Sequence, residues 1–394
     1  MQASSVVLTG MARTPIGGFQ GRLSAKSAPE LGCSSIRAAL DDAGIQGADV
    51  DEVLMGCVLP AGMGQAPARQ AALAADIPKS VGCTTVNKMC GSGMKTVMLG
   101  YDSIVAGTNS VVAAGGMESM TNAPYLIPKA RGGLRMGHGQ MMDHMFIDGL
   151  EDAYQKGSLM GEFAEDCAQA YRFSREAQDN FAIESLTRAQ KATENGTFAR
   201  EVTAVEVKTR KDQYVVSTDE QPQTTNTEKI PFLKPAFRND GTVTAANSSS
   251  ISDGGASVIL MARTEAERRG TSVIAQLVGH STYAAEPNLF PTAPIGAIKR
   301  LLERLDWTVD DVDLFEINEA FAVVTMAAMH SLGLSHDRVN VHGGACALGH
   351  PVGASGARIL VTLIAAMEKY DLKRGIATLC IGGGEATAIG VVRP

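Results

Sequence analysis

The sequence predicts an α/β protein built from two similar halves with a loop-rich insertion between them. Three observations carry that expectation. Apolar runs such as Val53-Leu54-Met55-Gly56-Cys57-Val58 are continuous rather than alternating, as in strands covered on both faces. Such runs alternate with helix-length segments, the βαβ rhythm of a parallel, helix-covered sheet. A glycine turn opening an apolar helix occurs twice, as Cys90-Gly91-Ser92-Gly93 and as Gly353-Ala354-Ser355-Gly356.

Each element has a local reason. Residues 5–10 read as a buried strand, and residues 13–19 as a turn-rich loop around Pro15, Gly17 and Gly18. Residues 29–43 suit a helix, with Pro29 and Glu30 in its first turn and Gly44 as its stop. After the strand at 53–58, residues 65–70 lead into an alanine-rich helix. Residues 83–86 form a strand ending at Asn87. The Cys90 turn follows, then an apolar helix through Met94, Val97, Met98 and Leu99, and a strand at 110–114.

From about Met120 to Gly241 the pattern changes. Lys129, Arg131 and Arg135 punctuate a basic, glycine-containing loop, and residues 174–195 form an amphipathic helix capped by Ser174. Residues 211–231 are polar and poor in strand signal. The α/β pattern resumes at Asn247. Strands are expected at 256–261 and 273–278, a helix at 295–305, and a strand at 314–318 running directly into a helix at 319–332. Residues 357–367 form the helix behind the second glycine turn. Cys380-Ile381-Gly382-Gly383-Gly384-Glu385 echoes Ala113-Ala114-Gly115-Gly116-Met117-Glu118. The division expected is 1–120, an insertion over 121–246 returning to the first half up to about 265, and 270–394.

Composition narrows the function. Of 394 residues, 45% are hydrophobic and 20% charged, ordinary for a globular enzyme. Aromatics reach only 5% while glycines number 42, so the core is expected to be aliphatic with backbones packed closely. The net charge of −7 argues against a nucleic-acid binder. The seven cysteines are odd in number and include no Cys-x-x-Cys. No signal segment or bilayer-length apolar run is apparent, so a reducing cytoplasm and no membrane association are expected.

Three clusters bear chemistry. Cys90 stands at a glycine turn before a helix, where the helix dipole and nearby N–H groups favour thiolate over thiol; a packed, inert thiol is equally open from this stretch alone. His342, Cys346 and His350 are spaced four apart, which on a helix would make a metal face. The surrounding glycines and Pro351 argue against a helix, and no neighbouring carboxylate completes a ligand set. His350 is better read as an imidazole presented from a rigid turn, a general base once a thiol stands beside it. Cys380 ends a strand before three glycines, whose bare N–H groups suit an oxyanion. Asn318 also lies at a strand end, where its amide would position a water or the histidine. The remaining cysteines are read as packing residues.

In these motifs the chain resembles the thiolase family over essentially its whole length. The matching pieces are Ala12-Arg13-Thr14-Pro15 with Gly17 and Phe19, and residues 65–70, 87–93 and 115–120. Asn318-Glu319-Ala320-Phe321-Ala322, residues 343–356 and Cys380-Ile381-Gly382-Gly383-Gly384 complete the set. The resemblance implies a five-layer α-β-α-β-α arrangement of duplicated βαβ halves with an inserted loop domain. It implies reversible Claisen condensation of two acetyl-CoA to acetoacetyl-CoA plus CoA. Cys90 would carry the acetyl group, His350 would accept its proton, and Cys380 would act as α-carbon base. His350 with a water held by Asn318 would form one oxyanion site, and the N–H groups of Cys90 and Gly382 the other. CoA thioesters would be substrates, with no cofactor and no metal.

The same resemblance places Ser249 on the pantetheine, and Leu150, Met160, Leu233, Phe290 and Phe321 along the substrate. It makes residues 125–145 a tetramerisation loop, hence a homotetramer built as a dimer of dimers, with cationic residues near the CoA phosphates. Where many biosynthetic thiolases carry His-Met-Gly, this chain has Leu159-Met160-Gly161, losing a polar contact. Phe290-Pro291 is similar to the pair in thiolases that take 2-methyl-branched substrates. A broader-chain degradative 3-ketoacyl-CoA thiolase is the alternative within the fold, and a non-catalytic acyl-CoA binder the alternative outside enzymology.

Overall fold

The computed structural model describes residues 5–394. The first half runs β1 (Val6–Arg13), α1 (Ala28–Ala43), β2 (Glu52–Gly56), α2 (Pro67–Ala74), β3 (Gly82–Val86), α3 (Ser92–Val105) and β4 (Val111–Ser119). The insertion carries α4 (Met160–Tyr171), α5 (Arg175–Glu194) and a hairpin, β5 (Val205–Lys208) with β6 (Gln213–Val216). The chain returns through β7 (Ser252–Ala262). The second half runs β8 (Ala275–Ala284), α6 (Ala293–Leu305), β9 (Leu314–Ile317), α7 (Ala322–Leu332), a short α8 (Ala345–Leu348), α9 (Ser355–Lys369), β10 (Arg374–Ile381) and β11 (Glu385–Val392).

Strand order exposes a repeat. The path reads β9-β10-β11-β8-β1-β7-β4-β2-β3, and β1 pairs antiparallel with β8 at its centre through Val6↔Leu277, Val7↔Gln276 and Leu8↔Ala275. Read outward from that seam, the two halves repeat one topology. At the far edge of the second half, Val339 bridges Phe315 in parallel, in the place that β3 holds beside β2. Helices α3 and α9 touch each other between the two halves of the sheet, with α1 and α2 outside one and α6 and α7 outside the other. This is the five-layer α-β-α-β-α order. The central layer holds the largest apolar cluster, including Met94, Val97, Met98, Ile359, Leu360 and Leu363.

The sheet is mixed rather than parallel. Among the strands of the described residues, only β2–β3, β2–β4 and β9–β10 pair in parallel. The last two strands, β10 and β11, are joined by a short glycine turn, and such a connection permits only antiparallel pairing. Other boundaries also move. β1 continues to Arg13, whose guanidinium is fully buried between Glu201 (2.6 Å) and Asp219 (2.7 Å). α7 begins at Ala322 rather than residue 319, because residues 318–321 turn to pair with the 247–249 segment: Ala322 N–H donates to Asn247, and Ser249 N–H to the Ala320 carbonyl. Strand β6 falls inside the stretch expected to lack strands.

The two helix starts meet backbone to backbone. A Cβ on Gly356 would lie 2.4 Å from the Met94 nitrogen, and one on Gly116 only 2.0 Å from the Gly353 carbonyl oxygen. The interval from Ser92 to Val111 equals that from Ser355 to Arg374, so the helix-start echo sets the repeat. In that register Cys380 is equivalent to Met117, four residues on from the pairing read off the glycine runs. Among the described residues, no helix is long and apolar enough to cross a membrane.

Candidate active site

A cavity of about 360 Å³ opens where the α3 and α9 starts meet the ends of β10 and the insertion. Its lining includes Cys90, His350, Cys380, Gly382, Ser249, Leu150, Met160, Phe290 and Phe321. Asn318 and Leu233 are not among the lining residues: Asn318 is buried, and Leu233 is half-buried on the insertion. Phe146, Phe237 and Val352 also line the cavity and carried no signal in the sequence beyond being apolar.

Cys90 follows a backbone held in an unusual shape. Met89 has φ 47°, a left-handed conformation that bulky residues adopt only when their surroundings impose it. The constraint is visible. Met89 N–H donates to Asn87 Oδ1 at 3.0 Å, while Ser92 Oγ accepts from Lys88 N–H at 2.8 Å and donates to the Met89 carbonyl at 2.6 Å. Lys88 is ion-paired with Glu385 of the second half. Burial pushes the Cys90 thiol up to about 11, against the downward pull of the Gly382 and Cys90 N–H groups on the sulfur. The pull of these two N–H groups is smaller than the cost of desolvating a thiolate.

His350 arrives from the other half. Its Nδ1 is 2.6 Å from Ser355 Oγ. The Ser355 hydroxyl has one proton, which it donates to the Pro351 carbonyl at 3.0 Å. It therefore accepts from His350 Nδ1–H, and this assigns the tautomer with a bare lone pair on Nε2. Nε2 has no hydrogen-bond partner. Burial, with the Arg358 charge in support, lowers the imidazole to about 3, so it is neutral at ordinary pH and able to take a proton.

Cys380 is buried beside Phe290, Phe321 and Cys167. Burial raises its thiol, and the neighbouring Cys90 adds to the rise, so the two thiols disfavour being charged together. Asn318 Oδ1 accepts from Arg358 at 3.3 Å, while its Nδ2 has no partner. The amide is thus oriented by a buried arginine that the sequence reading passed over. Glu118, also fully buried, is pushed up to about 7 by desolvation.

The His342, Cys346 and His350 spacing does not assemble a ligand set. His342 packs against Phe198 and Tyr370, and Cys346 Sγ faces the Glu319 carbonyl at 3.6 Å. Among the described residues, no three His, Cys, Asp or Glu side chains are grouped to hold a metal ion. All seven cysteines are free thiols.

Comparisons with known proteins agree over the whole chain. The family model described as "Thiolase, N-terminal domain" matches residues 6–264, and "Thiolase, C-terminal domain" matches residues 271–393. The acetyl-CoA acetyltransferase of Pseudomonas aeruginosa is 46% identical over 390 residues, covering 98% of this chain and 99% of that protein. Acetyl-CoA acetyltransferase 1 of Arabidopsis thaliana is 47% identical, covering 99% and 94%. Among solved structures, the Acat5 thiolase of Ascaris suum in complex with coenzyme A superposes with a TM-score of 0.93 at 40% identity, covering 99% of this chain and 100% of that one. The Bacillus anthracis acetyl-CoA acetyltransferase superposes at 0.97 with 39% identity, covering 100% and 99%.

Proposed function

The chain belongs to the thiolase family, and on that premise we propose that it is an acetyl-CoA C-acetyltransferase that condenses two acetyl-CoA to acetoacetyl-CoA and CoA, reversibly. The observation that carries this is one cavity lined by two thiols and an imidazole with a free Nε2. In the first step Cys90 attacks the thioester carbonyl. His350 Nε2 takes its proton and returns it to the departing CoA thiolate. In the second, Cys380 gives its thiol proton to His350 Nε2 and, as thiolate, takes a proton from the methyl group of the next acetyl-CoA, and the enolate attacks acetyl-Cys90. Cys90 leaves as thiolate and takes back the proton held on His350, which restores both thiols. The N–H groups of Cys90 and Gly382 face the Cys90 sulfur and suit the charge on the acyl oxygen. His350, while it carries the Cys380 proton on Nε2, would donate to the enolate oxygen together with a water on the Asn318 amide.

Ser249, Leu150, Met160, Phe290 and Phe321 form the walls we assign to substrate, with Leu233 further along the CoA. We assign the chain a homotetrameric, cytoplasmic form. Tyr125, Ile127, Leu134 and Met136 leave apolar surface exposed on the 125–145 loop, which suits a partner, and the free thiols suit a reducing compartment. Light scattering tests the tetramer. The chemistry as drawn needs only CoA thioesters, so activity should survive a chelator.

Incubation with acetyl-CoA should add one acetyl group to Cys90, read by peptide mass spectrometry. CoA binding without an adduct would favour a non-catalytic binder. The apolar Leu159 and Met160 favour testing the broader-chain reading as well. Thiolysis rates across C4 to C16 substrates decide it, and a preference for long chains would overturn the acetoacetyl assignment.

A further inference from the structure

Glu118, at the end of β4, is a fully buried carboxylate that the reaction does not use. Its partners are all neutral. Oε2 accepts from Val58 N–H at 2.9 Å and from Gly353 N–H at 2.9 Å; Oε1 accepts from Leu59 N–H at 3.2 Å and faces the Cys57 thiol at 3.5 Å. A structural carboxylate in an apolar interior is costly without a cation, so its place calls for a reason.

The partners sit on two different loops. Val58 belongs to the loop after β2, and its carbonyl accepts from Asn87 Nδ2 at 3.3 Å. Asn87 in turn accepts from Met89 N–H through Oδ1, which fixes the residue before Cys90. Gly353 belongs to the loop that carries His350 and feeds α9. One oxygen of Glu118 therefore ties the support of the nucleophile's turn, in the first half, to the base's turn, in the second. The fit leaves no slack: a Cβ on Gly353 would be 2.6 Å from Oε2 and 2.8 Å from the Met117 carbonyl. Val58 and Val352 join the same apolar cluster, against which Met89 and Cys90 pack.

We propose that Glu118 is the positioning residue that sets the Cys90 turn against the His350 turn across the boundary between the halves. The proposal rests on Cys90 and His350 being nucleophile and base. A displacement of about 1 Å in such a pair can cost a hundredfold in rate.

Glu118→Gln keeps one acceptor oxygen for Val58 and Gly353 but turns an amide NH₂ towards Leu59 N–H. Glu118→Ala removes every contact. E118Q is expected to lose about tenfold in the rate of Cys90 acetylation, with KM for acetyl-CoA little changed. E118A, where it folds, is expected to lose about a hundredfold. The deciding measurement is the double variant with His350→Ala. If Glu118 acts by aligning Cys90 with His350, E118Q should cost nothing further once His350 is gone. An E118Q rate within twofold of the parent, or an equal loss with and without His350, would overturn the proposal. If H350A itself acetylated Cys90 at the parental rate, the catalytic reading of the site would fail instead, and the two failures are distinct.

Discussion

Alkylation of Cys90 by iodoacetamide in the substrate-free enzyme should rise with pH from about 7 to about 10 without reaching a plateau. The reasoning starts from the two groups as the fold holds them. Burial takes Cys90 up to about 11 and His350 down to about 3. Moving the proton from thiol to imidazole then costs roughly 11 kcal/mol, at about 1.36 kcal/mol per tenfold. Attraction between the charges so formed returns about 4 kcal/mol at contact and an effective dielectric of 20. The neutral pair stays ahead by several kcal/mol, so the resting site holds thiol and imidazole rather than thiolate and imidazolium. Thiolate then grows about tenfold per pH unit over that range. Peptide mass spectrometry isolates Cys90 from the other six thiols, and His350→Asn should leave the slope unchanged. A plateau reached below about pH 8 and abolished by His350→Asn would mean a preformed ion pair and would refute the argument.

Three further outcomes follow from the same geometry. Cys380→Ser should acetylate Cys90 at the parental rate yet lose condensation by roughly 10²–10⁴-fold, the range for losing a proton-transfer group; failure to acetylate would show that the thiols do not divide the work. Gly116→Ala places a methyl 2.0 Å from the Gly353 carbonyl oxygen and should lower stability in urea by about 3 kcal/mol; an unchanged midpoint would show that β4 and the loop before α9 are less tightly joined. His342 is buried and lowered to about 4 by desolvation, below an unfolded value near 6.5. The unfolded chain binds more protons between those values, so stability is present above about pH 6.5 and is lost as pH falls towards 4. His342→Leu should flatten that fall by roughly 2 kcal/mol between about pH 7 and pH 4.5, read from denaturation curves.

Much of this was legible in the residues, for identifiable reasons. Pro29, Gly44 and the cap Ser174 stand where side-chain and backbone chemistry alone dictate a helix end, and the structure has ends there or one residue away. The repeat of Cys90-Gly91-Ser92-Gly93 in Gly353-Ala354-Ser355-Gly356 located the junction of the halves, because only small residues allow that approach. Strand direction was not legible: pairing of β1 with β7 and β8 is a non-local choice that apolar runs do not encode. Nor were Arg13, Arg358 and Glu118. In a sequence, a charged residue reads as solvated surface, and its burial depends on partners such as Glu201, Asp219 and Glu316 that lie far along the chain. Asn318 illustrates the middle case. Its residue type and strand-end place were visible, but the arginine that orients its amide was not.

The repeat also explains why the site is asymmetric. Counted from the helix starts, Cys90 is equivalent to Gly353, His350 to Asn87 and Cys380 to Met117, while Ser92 and Ser355 fasten both turns alike. The position matching Cys90 has no room for a side chain, since Glu118 and the Met117 carbonyl already occupy the space. A thiol at both of the twin turns is therefore sterically barred. The repeat thus holds a thiol at one copy of the turn, Cys90, and close backbone packing at the other, Gly353.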